Sequence, residues 1–144
     1  MAAFTTDIPV RFQHTDPAGI VFYPRYFEMI NQIVEDWFAE GLGLDFHTLH
    51  ARDGHGVPTV HIEADFLRPS RLGEVLTFAL AVTRLGGSTF TLDVTASCGG
   101  EERLRATAVL AYVALGDVRA VPIPASLRAA MERYRAPAAT ENVA

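Results

Sequence analysis

Cysteine is almost absent from this 144-residue chain, which contains only Cys98. A single cysteine excludes an internal disulfide and a cysteine-only metal cage, which is typical of a reducing compartment. No apolar run approaches the roughly 20 residues of a membrane helix, and the first ten residues lack the basic start and apolar core of a signal peptide. These absences predict a cytoplasmic location.

Positive charge is also scarce. The chain has 12 Lys and Arg against 17 Asp and Glu, and its net charge of -5 argues against a nucleic-acid-binding protein. Internal repeats and low-complexity linkers are missing. With 49% hydrophobic residues, the composition is that of one ordinary globular domain. We therefore predict a single domain over 1–135 and a frayed, disordered tail over 136–144.

The spacing of apolar residues predicts one long helix and an antiparallel sheet. Alternation predicts a strand over 7–13, and a broad apolar and aromatic stripe predicts a helix from Pro24 to about Glu40. Further elements are predicted as a short helix and loop at 45–55, strands at 57–67, 75–85, 88–98 and 102–115, and a surface helix at 124–135. The glycine-rich links between strands are too short for parallel crossovers. The predicted class is α+β, with the sheet wrapped around the long helix.

The stretch "HTDPAGIVFYPRYF", residues 14–27, places one carboxylate, Asp16, in a tight turn before that helix. An aspartate that stabilises its own turn and a catalytic carboxylate both fit this pattern. Gly19 can adopt a positive φ without strain. The helix N-terminus offers N–H groups and partial positive charge, and since Pro24 has no N–H, the expected donors are those of Tyr23, Arg25 and Tyr26.

The motif "DPAGIVFYPRYF", after a first strand and at the start of the first long helix, resembles the 4-hydroxybenzoyl-CoA thioesterase family of hotdog-fold proteins. The likeness extends over roughly 6–125, because the order of strand, helix and meander also agrees. The resemblance implies a five-stranded antiparallel sheet around one central helix, and homodimers that often pair into tetramers. It also implies hydrolysis of an acyl-CoA thioester, with no cofactor, since coenzyme A is part of the substrate.

Matched position by position, the resemblance assigns three residues to catalysis. Asp16 becomes the nucleophile or the general base, and the resemblance leaves that choice open. The backbone N–H of Tyr23 becomes the donor to the thioester oxygen, and Gly19 lets the backbone pass close to the substrate. Such a carboxylate and oxyanion donor are what thioester hydrolysis needs.

The resemblance also marks substrate-binding positions, at which this chain differs from the aryl-specific members. A carboxylate and a hydroxyl residue that meet the acyl ring there are replaced by Asn31 and Val57 here. The acyl group is therefore expected to be aromatic, of benzoyl or hydroxybenzoyl type, or aliphatic of short to medium length. The residues expected at the coenzyme A phosphates are Arg68, Arg71, Arg84, Gly87 and Ser88, the last three in the turn "RLGGST".

Two other functions on the same fold stay open: an enoyl-thioester hydratase or dehydratase, and a hotdog protein that only binds acyl-CoA. No metal site is expected, because the sequence cluster of histidines lacks ligand spacing. A serine-nucleophile hydrolase of the α/β type is excluded by the lack of a Gly-x-Ser-x-Gly motif. His14 is considered as a neighbour of Asp16, Glu63 as an alternative base, and Cys98 as a structural thiol. The histidines of the cluster are His47, His50, His55 and His61.

Overall fold

A computed structural model describes residues 3–137 of the chain. The strands are β1 Phe4–Pro9, β2 His55–Gly56, β3 Thr59–Phe66, β4 Val75–Leu85, β5 Thr89–Cys98, β6 Glu101–Ala111, β7 Val113–Ala114 and β8 Arg119–Ala120, and the helices are α1 Pro24–Asp36 and α2 Ala125–Glu132. Five strands form an antiparallel sheet in the order β1-β4-β5-β6-β3, and β2, β7 and β8 form a small second sheet. The predicted α+β sheet around one long helix is confirmed.

The sheet wraps α1 because its inner face is a continuous apolar surface. Alternate side chains of β4 and β5 are fully buried and face the helix. The helix packs its own buried apolar side chains against them. The largest of these buried side chains are Trp37, Phe38, Phe78, Phe90, Met29 and Ile33. Burying this much aromatic and branched surface is the main source of stability in such a domain.

Glycine closes the β5–β6 hairpin as predicted. Gly99 and Gly100 have φ of 57° and 83°, the left-handed values that a two-residue hairpin turn with matching twist requires. The long helix begins at Pro24 as predicted and continues beyond α1 as a π-helical turn, Trp37–Gly41. At Gly41 a Cβ would lie 2.8 Å from Trp37 Cδ1 and 2.9 Å from the Tyr134 hydroxyl, so only glycine fits there.

Two boundary predictions are wrong. The first strand is β1 rather than 7–13, because the chain turns into a short 3-10 helix at Phe12–His14. The last predicted strand ends with β6 at Ala111, and the chain then enters the second sheet as β7. The C-terminal helix α2 lies at the surface as predicted: one face buries Leu127, Ala130 and Met131, and the opposite face is exposed.

The predicted tail begins inside the described residues. Ala136 donates its N–H to the Val82 carbonyl at 2.8 Å, so the chain is still hydrogen-bonded to β4 there. Residues 138–144 of the predicted tail lie outside the described residues. No helix in the described part of the chain has the length and apolar character needed to cross a membrane.

Candidate active site

The turn that carries Asp16 is closed by its own backbone. The Asp16 N–H donates to the Ile20 carbonyl at 3.0 Å, and the Gly19 N–H donates to the Asp16 carbonyl at 2.9 Å. Gly19 has φ of 79°, a backbone conformation that residues other than glycine rarely adopt. Its Cβ position is otherwise open space, so the backbone angle alone requires glycine here.

The Asp16 side chain is half-buried and serves the turn with one oxygen. Oδ1 accepts the Ala18 N–H at 2.9 Å, while Oδ2 has no partner within residues 3–137. The nearest cation in the motif, Arg25, is bound to Glu28 instead, with Nη1 2.9 Å and 3.1 Å from the two carboxylate oxygens. Asp16 therefore has the turn role considered from the sequence and still retains an oxygen free for chemistry.

Among the described residues at the start of α1, only one backbone N–H remains free. The N–H of Phe22 donates to His14, that of Arg25 to Phe22, and that of Tyr26 to Tyr23. The Tyr23 N–H has no acceptor among the described residues. The expectation that Arg25 and Tyr26 would also offer donors is wrong, because their N–H groups already donate to carbonyls three residues earlier in the chain. Tyr23 is thus the free donor at the positive end of the helix.

An aromatic cluster includes the side chain of the residue that carries this free N–H. The Phe66 ring of β3 contacts the rings of Tyr23 at 5.7 Å, Tyr26 at 5.6 Å and Phe27 at 6.1 Å between centroids. Tyr23 is 58% exposed and Phe66 45%, so these rings are not covered within one chain. A ligand or partner that covered them would exclude water and strengthen electrostatic interactions at the free N–H.

The Asp16 turn is held in place by the segment 69–74, which we call the strap. The Val21 N–H donates to the Ser70 carbonyl at 2.8 Å, and the Leu72 N–H donates to the Gly19 carbonyl at 3.1 Å. The strap also reaches α1, because the Tyr26 hydroxyl donates to Ser70 Oγ at 3.0 Å. The strap therefore connects the turn that carries Asp16 to the helix end that carries Tyr23.

A buried arginine fastens the strap to the sheet. Arg103 is 6% exposed, and its Nη1 donates to the Pro69 carbonyl at 3.1 Å, Ser70 Oγ at 3.3 Å and Glu74 Oε1 at 2.7 Å. Its Nη2 donates to Glu74 Oε2 at 3.2 Å. Its Nε lies 2.8 Å from Glu101 Oε1 in an ion pair, but the geometry of this contact is not that of a hydrogen bond. The Arg103 guanidinium, helped by the Arg71 N–H, lowers the pKa of Glu74 from 4.5 to about 2.

Sequence reasoning missed Arg103 for an identifiable reason. Simple alternation along β6 places Arg103 with Arg105 on the outer face of the sheet. The register between β5 and β6 shifts at this point, from Ala96 opposite Leu104 to Ser97 opposite Glu102, so Arg103 is an extra residue in a bulge. Bulges redirect side chains in this way, and their position cannot be read from one strand alone.

The structure brings Asn31 and Val57 together, as the resemblance led us to expect. Both line a cleft of about 430 Å³ between α1 and the start of β3, which we call the acyl cleft. Its other lining residues are Val34, Glu35, Phe46, Pro58, Thr59 and Leu110. Glu35 and Thr59 were not singled out from the sequence, although the four-residue spacing from Asn31 places Glu35 on the same helix face.

The five residues expected at phosphate do not lie together in one chain. Arg71 is bridged to Ile20 of the Asp16 turn, and Arg68 lies in the adjoining segment, paired with Glu101 at 3.5 Å. Arg84 lies near the far end of the 11-residue strand β4, which separates it from the strap by about 30 Å. Gly87 and Ser88 follow in the next turn.

That far turn also binds the C-terminal segment. The Ile123 N–H donates to the Gly87 carbonyl at 3.0 Å and the Tyr112 N–H to the Ser88 carbonyl at 2.8 Å, while Arg128 donates to the Gly86 carbonyl. The Gly86 N–H donates to the Thr89 carbonyl at 2.7 Å, so it is not available to a ligand. The N–H groups of Gly87 and Ser88 have no acceptor among residues 3–137.

The other side chains considered from the sequence have local roles. His14 is buried, its Nδ1 accepts the Arg11 N–H at 2.8 Å, and burial lowers its pKa. Glu63 lies on the exposed outer face of β3, 3.5 Å from His61. Cys98 packs against the core. Within the described residues, no three His, Cys, Asp or Glu side chains form a group that could hold a metal ion.

Comparison with known proteins gives consistent results. The family model of the thioesterase-like superfamily matches residues 10–131. A 1,4-dihydroxy-2-naphthoyl-CoA hydrolase of Acaryochloris marina is 31% identical over 129 residues, which cover 87% of this chain and 93% of that protein.

Two solved structures share the fold. A 1,4-dihydroxy-2-naphthoyl-CoA thioesterase from Synechocystis superposes with a TM-score of 0.83 at 24% identity, covering 94% of this chain and 99% of that one. The 4-hydroxybenzoyl-CoA thioesterase of Pseudomonas sp. strain CBS-3 also gives 0.83, at 23% identity, with coverage of 90% and 99%.

Proposed function

The chain belongs to the thioesterase-like superfamily and is a thioester hydrolase, and from this premise we propose that it hydrolyses an aromatic acyl-CoA to the free acid and coenzyme A. One observation carries the assignment of the site. The free Oδ2 of Asp16 and the unpartnered N–H of Tyr23 are linked by the strap, and they supply an attacking group and an oxyanion donor.

The chemistry follows from these two groups. The thioester oxygen accepts the Tyr23 N–H at the positive end of α1, which stabilises negative charge as the carbonyl carbon is attacked. As a nucleophile, Asp16 displaces the coenzyme A thiolate and forms an anhydride that water then hydrolyses. As a general base, it accepts a proton from the water that attacks directly. Both routes need the same carboxylate.

The acyl cleft supports the aromatic substrate class. It is walled by Val34, Phe46 and Leu110, and its volume of about 430 Å³ is that of a small-molecule site. The relatives that act on 1,4-dihydroxy-2-naphthoyl-CoA point to a hydroxylated bicyclic acyl group in particular. Benzoyl, hydroxybenzoyl and short or medium aliphatic groups are the other acyl groups to compare.

A thiol-release screen over aromatic and aliphatic CoA thioesters tests this function. We expect the highest kcat/KM for an aromatic thioester, with free acid and free coenzyme A as the products. A hydroxyacyl thioester formed from an enoyl-CoA would instead indicate a hydratase. Binding of acyl-CoA without thiol release for any member of the panel would indicate a protein that only binds, and would contradict the proposed function.

We also propose that a second copy of the chain completes the site. Arg84, Gly87 and Ser88 lie about 30 Å from the strap in one chain, so they can reach the coenzyme A bound at Asp16 only from a partner subunit. The edge strand β3 and the exposed rings of Tyr23 and Phe66 lie beside the site and suit that contact. Pairing of dimers into a tetramer is part of this proposal.

Replacing Val60 by lysine tests the dimer. Val60 is 59% exposed on the edge strand β3, so the variant should fold normally as a monomer. We expect sedimentation velocity to show a shift from dimer or tetramer to monomer, and thiol release to fall at least about tenfold, since lysine on an edge blocks strand pairing. Val75→Lys, on β4 and 47% exposed, is the control. A monomeric wild-type protein with full activity would contradict the proposal.

A further inference from the structure

We propose that Glu35, assisted by Thr59, binds a hydroxyl group on the end of the acyl group that is remote from the thioester, and so selects a bicyclic acyl group with a hydroxyl on its second ring. The 1,4-dihydroxy-2-naphthoyl group of the relatives differs, since both of its hydroxyls lie on the ring that carries the carbonyl. This inference rests on the proposed function and names the substrate of the same site more narrowly. It starts from the polar side chains of the acyl cleft, which the catalytic assignment does not use: Asn31, Glu35 and Thr59.

All three polar side chains are available to a ligand. Within residues 3–137, neither the Glu35 carboxylate nor the Asn31 amide nor the Thr59 hydroxyl has a hydrogen bond or an ion pair. The remaining wall of the cleft is apolar, and Val34, Val57 and Leu110 are buried beneath it. Asn31, Glu35 and Thr59 are exposed in one chain, so an acyl group seated in the cleft displaces water from them and has to supply its own donor to the carboxylate.

The aromatic part of the ligand has a rigid wall to pack against. The Phe46 ring lies in the cleft and is held from behind by the Phe38 ring, with centroids 5.4 Å apart in an edge-to-face arrangement. Phe38 itself is fully buried. A fixed aromatic side chain of this kind favours a flat aromatic ligand over a flexible chain.

Helix geometry places Glu35 further from the chemistry than Asn31. Tyr23, Phe27, Asn31 and Glu35 are each four residues apart and lie along one side of the helix. Asn31 is about 12 Å and Glu35 about 18 Å from Tyr23 along the axis. Side chains lean toward the helix N-terminus, and glutamate is longer than asparagine. The Glu35 carboxylate therefore lies less far beyond the Asn31 amide than the axial distances between the two residues indicate.

Thr59 shows the same displacement on the other wall. It follows Val57 by two residues, which moves its hydroxyl about 6–7 Å further along the extended chain. A carboxylate and a hydroxyl therefore face the same remote part of the acyl cleft, one from each wall. A hydroxyl on a single ring lies nearer Asn31, whereas a hydroxyl on a second ring reaches Glu35 and Thr59.

The cleft has room for a second ring. Phe46, Val57 and Pro58 also line a neighbouring cleft of about 260 Å³, so the two clefts lie next to each other. The neighbouring cleft is lined on its other side by Gly56, Val113 and Leu115. The acyl cleft itself, at about 430 Å³, has the volume of a small-molecule site and can hold two fused rings.

Two matched pairs of substrates test the assignment. Benzoyl-CoA and 4-hydroxybenzoyl-CoA differ by a hydroxyl on one ring, and 2-naphthoyl-CoA and 6-hydroxy-2-naphthoyl-CoA differ by a hydroxyl on the second ring. We expect the hydroxyl to raise kcat/KM of the wild type about 10- to 100-fold in the bicyclic pair, as a hydrogen bond to a charged group would. Glu35→Gln and Glu35→Ala should abolish most of that preference through KM, and Thr59→Val should reduce it about threefold.

The control variants separate position from charge. Glu40→Gln removes a carboxylate from the exposed π-helical turn outside the cleft and should change neither pair. Asn31→Ala should affect the monocyclic pair more than the bicyclic pair. Equal effects of Glu35→Gln on both pairs, or none, with hydrolysis otherwise intact, would overturn the Glu35 assignment alone. Absence of thiol release from every substrate in the wild type would overturn the proposed function itself.

Discussion

Asp16→Asn is expected to lower kcat for acyl-CoA hydrolysis by about 10²–10⁴-fold, the usual cost of losing a positioned base or nucleophile. The fold should be unaffected, because an asparagine Oδ1 can still accept the Ala18 N–H that Asp16 accepts at 2.9 Å. The free energy of unfolding should therefore change by less than about 0.5 kcal/mol. Thiol release, thermal unfolding and calorimetric coenzyme A binding measure the three quantities separately.

Two companion variants sharpen that experiment. Asp16→Ala removes the acceptor of the Ala18 N–H as well, so it should lose the same activity and also about 1 kcal/mol of stability. Asp7→Asn changes an exposed carboxylate on β1, whose Oδ1 accepts the Thr77 hydroxyl at 2.9 Å, and should leave activity unchanged. Near wild-type turnover by Asp16→Asn would remove Asp16 from the mechanism.

The wild-type enzyme can be used to distinguish the nucleophilic route from the general-base route. If Asp16 is the nucleophile, rapid quenching of a single turnover should trap an acyl group on the peptide that contains Asp16. If Asp16 is a general base, mass spectrometry should find no such adduct while the free acid accumulates at the same rate.

Arg103→Met is expected to have the second large effect, on stability and turnover together. The guanidinium is buried and makes four hydrogen bonds to the strap residues Pro69, Ser70 and Glu74, and methionine can make none of them. Removing one partner of such a pair should cost about 2–3 kcal/mol, less than for a fully buried pair because the Glu74 side chain is 31% exposed. Urea unfolding measures this loss.

Turnover by Arg103→Met should also fall, because the strap loses its attachment to the sheet. Without Arg103, the carbonyls of Gly19 and Ser70 keep their partners, but the strap that aligns them is no longer fastened to β6. We expect kcat to fall about tenfold with little change in KM, as for a residue that only positions the reacting groups. Arg103→Lys keeps the charge without the forked geometry and should recover part of kcat. Arg105→Met, on the same strand but exposed, is the control.

The pH dependence identifies the pair responsible. Arg103 holds the pKa of Glu74 at about 2, below its ordinary 4.5, so the pair contributes its stability above about pH 4.5 and loses it as the pH falls toward 2. The stabilities of wild type and Arg103→Met should therefore converge over that range. A stability difference that stays constant down to pH 2 would contradict this role for Glu74.

Much of the candidate site could be predicted because its signals are local. Pro24 at the first helical position, Gly19 in a turn that needs a positive φ, and Asp16 three residues before that glycine are interpretable within a short window. The choice of Tyr23 as the free donor needed more. It depended on the N–H groups of Arg25 and Tyr26 being used by carbonyls of the same helical turn, which spacing does not reveal.

The sequence by itself determined the antiparallel sheet around a long aromatic helix and the turn that presents Asp16, since periodicity, glycine and proline act over a few neighbouring residues. Only the tertiary structure decided that Arg103 points inward to hold the strap, because a bulge depends on the register between two strands. It also decided that Glu35 and Thr59 face one cleft. Those two residues lie on different elements, and only packing brings such elements together.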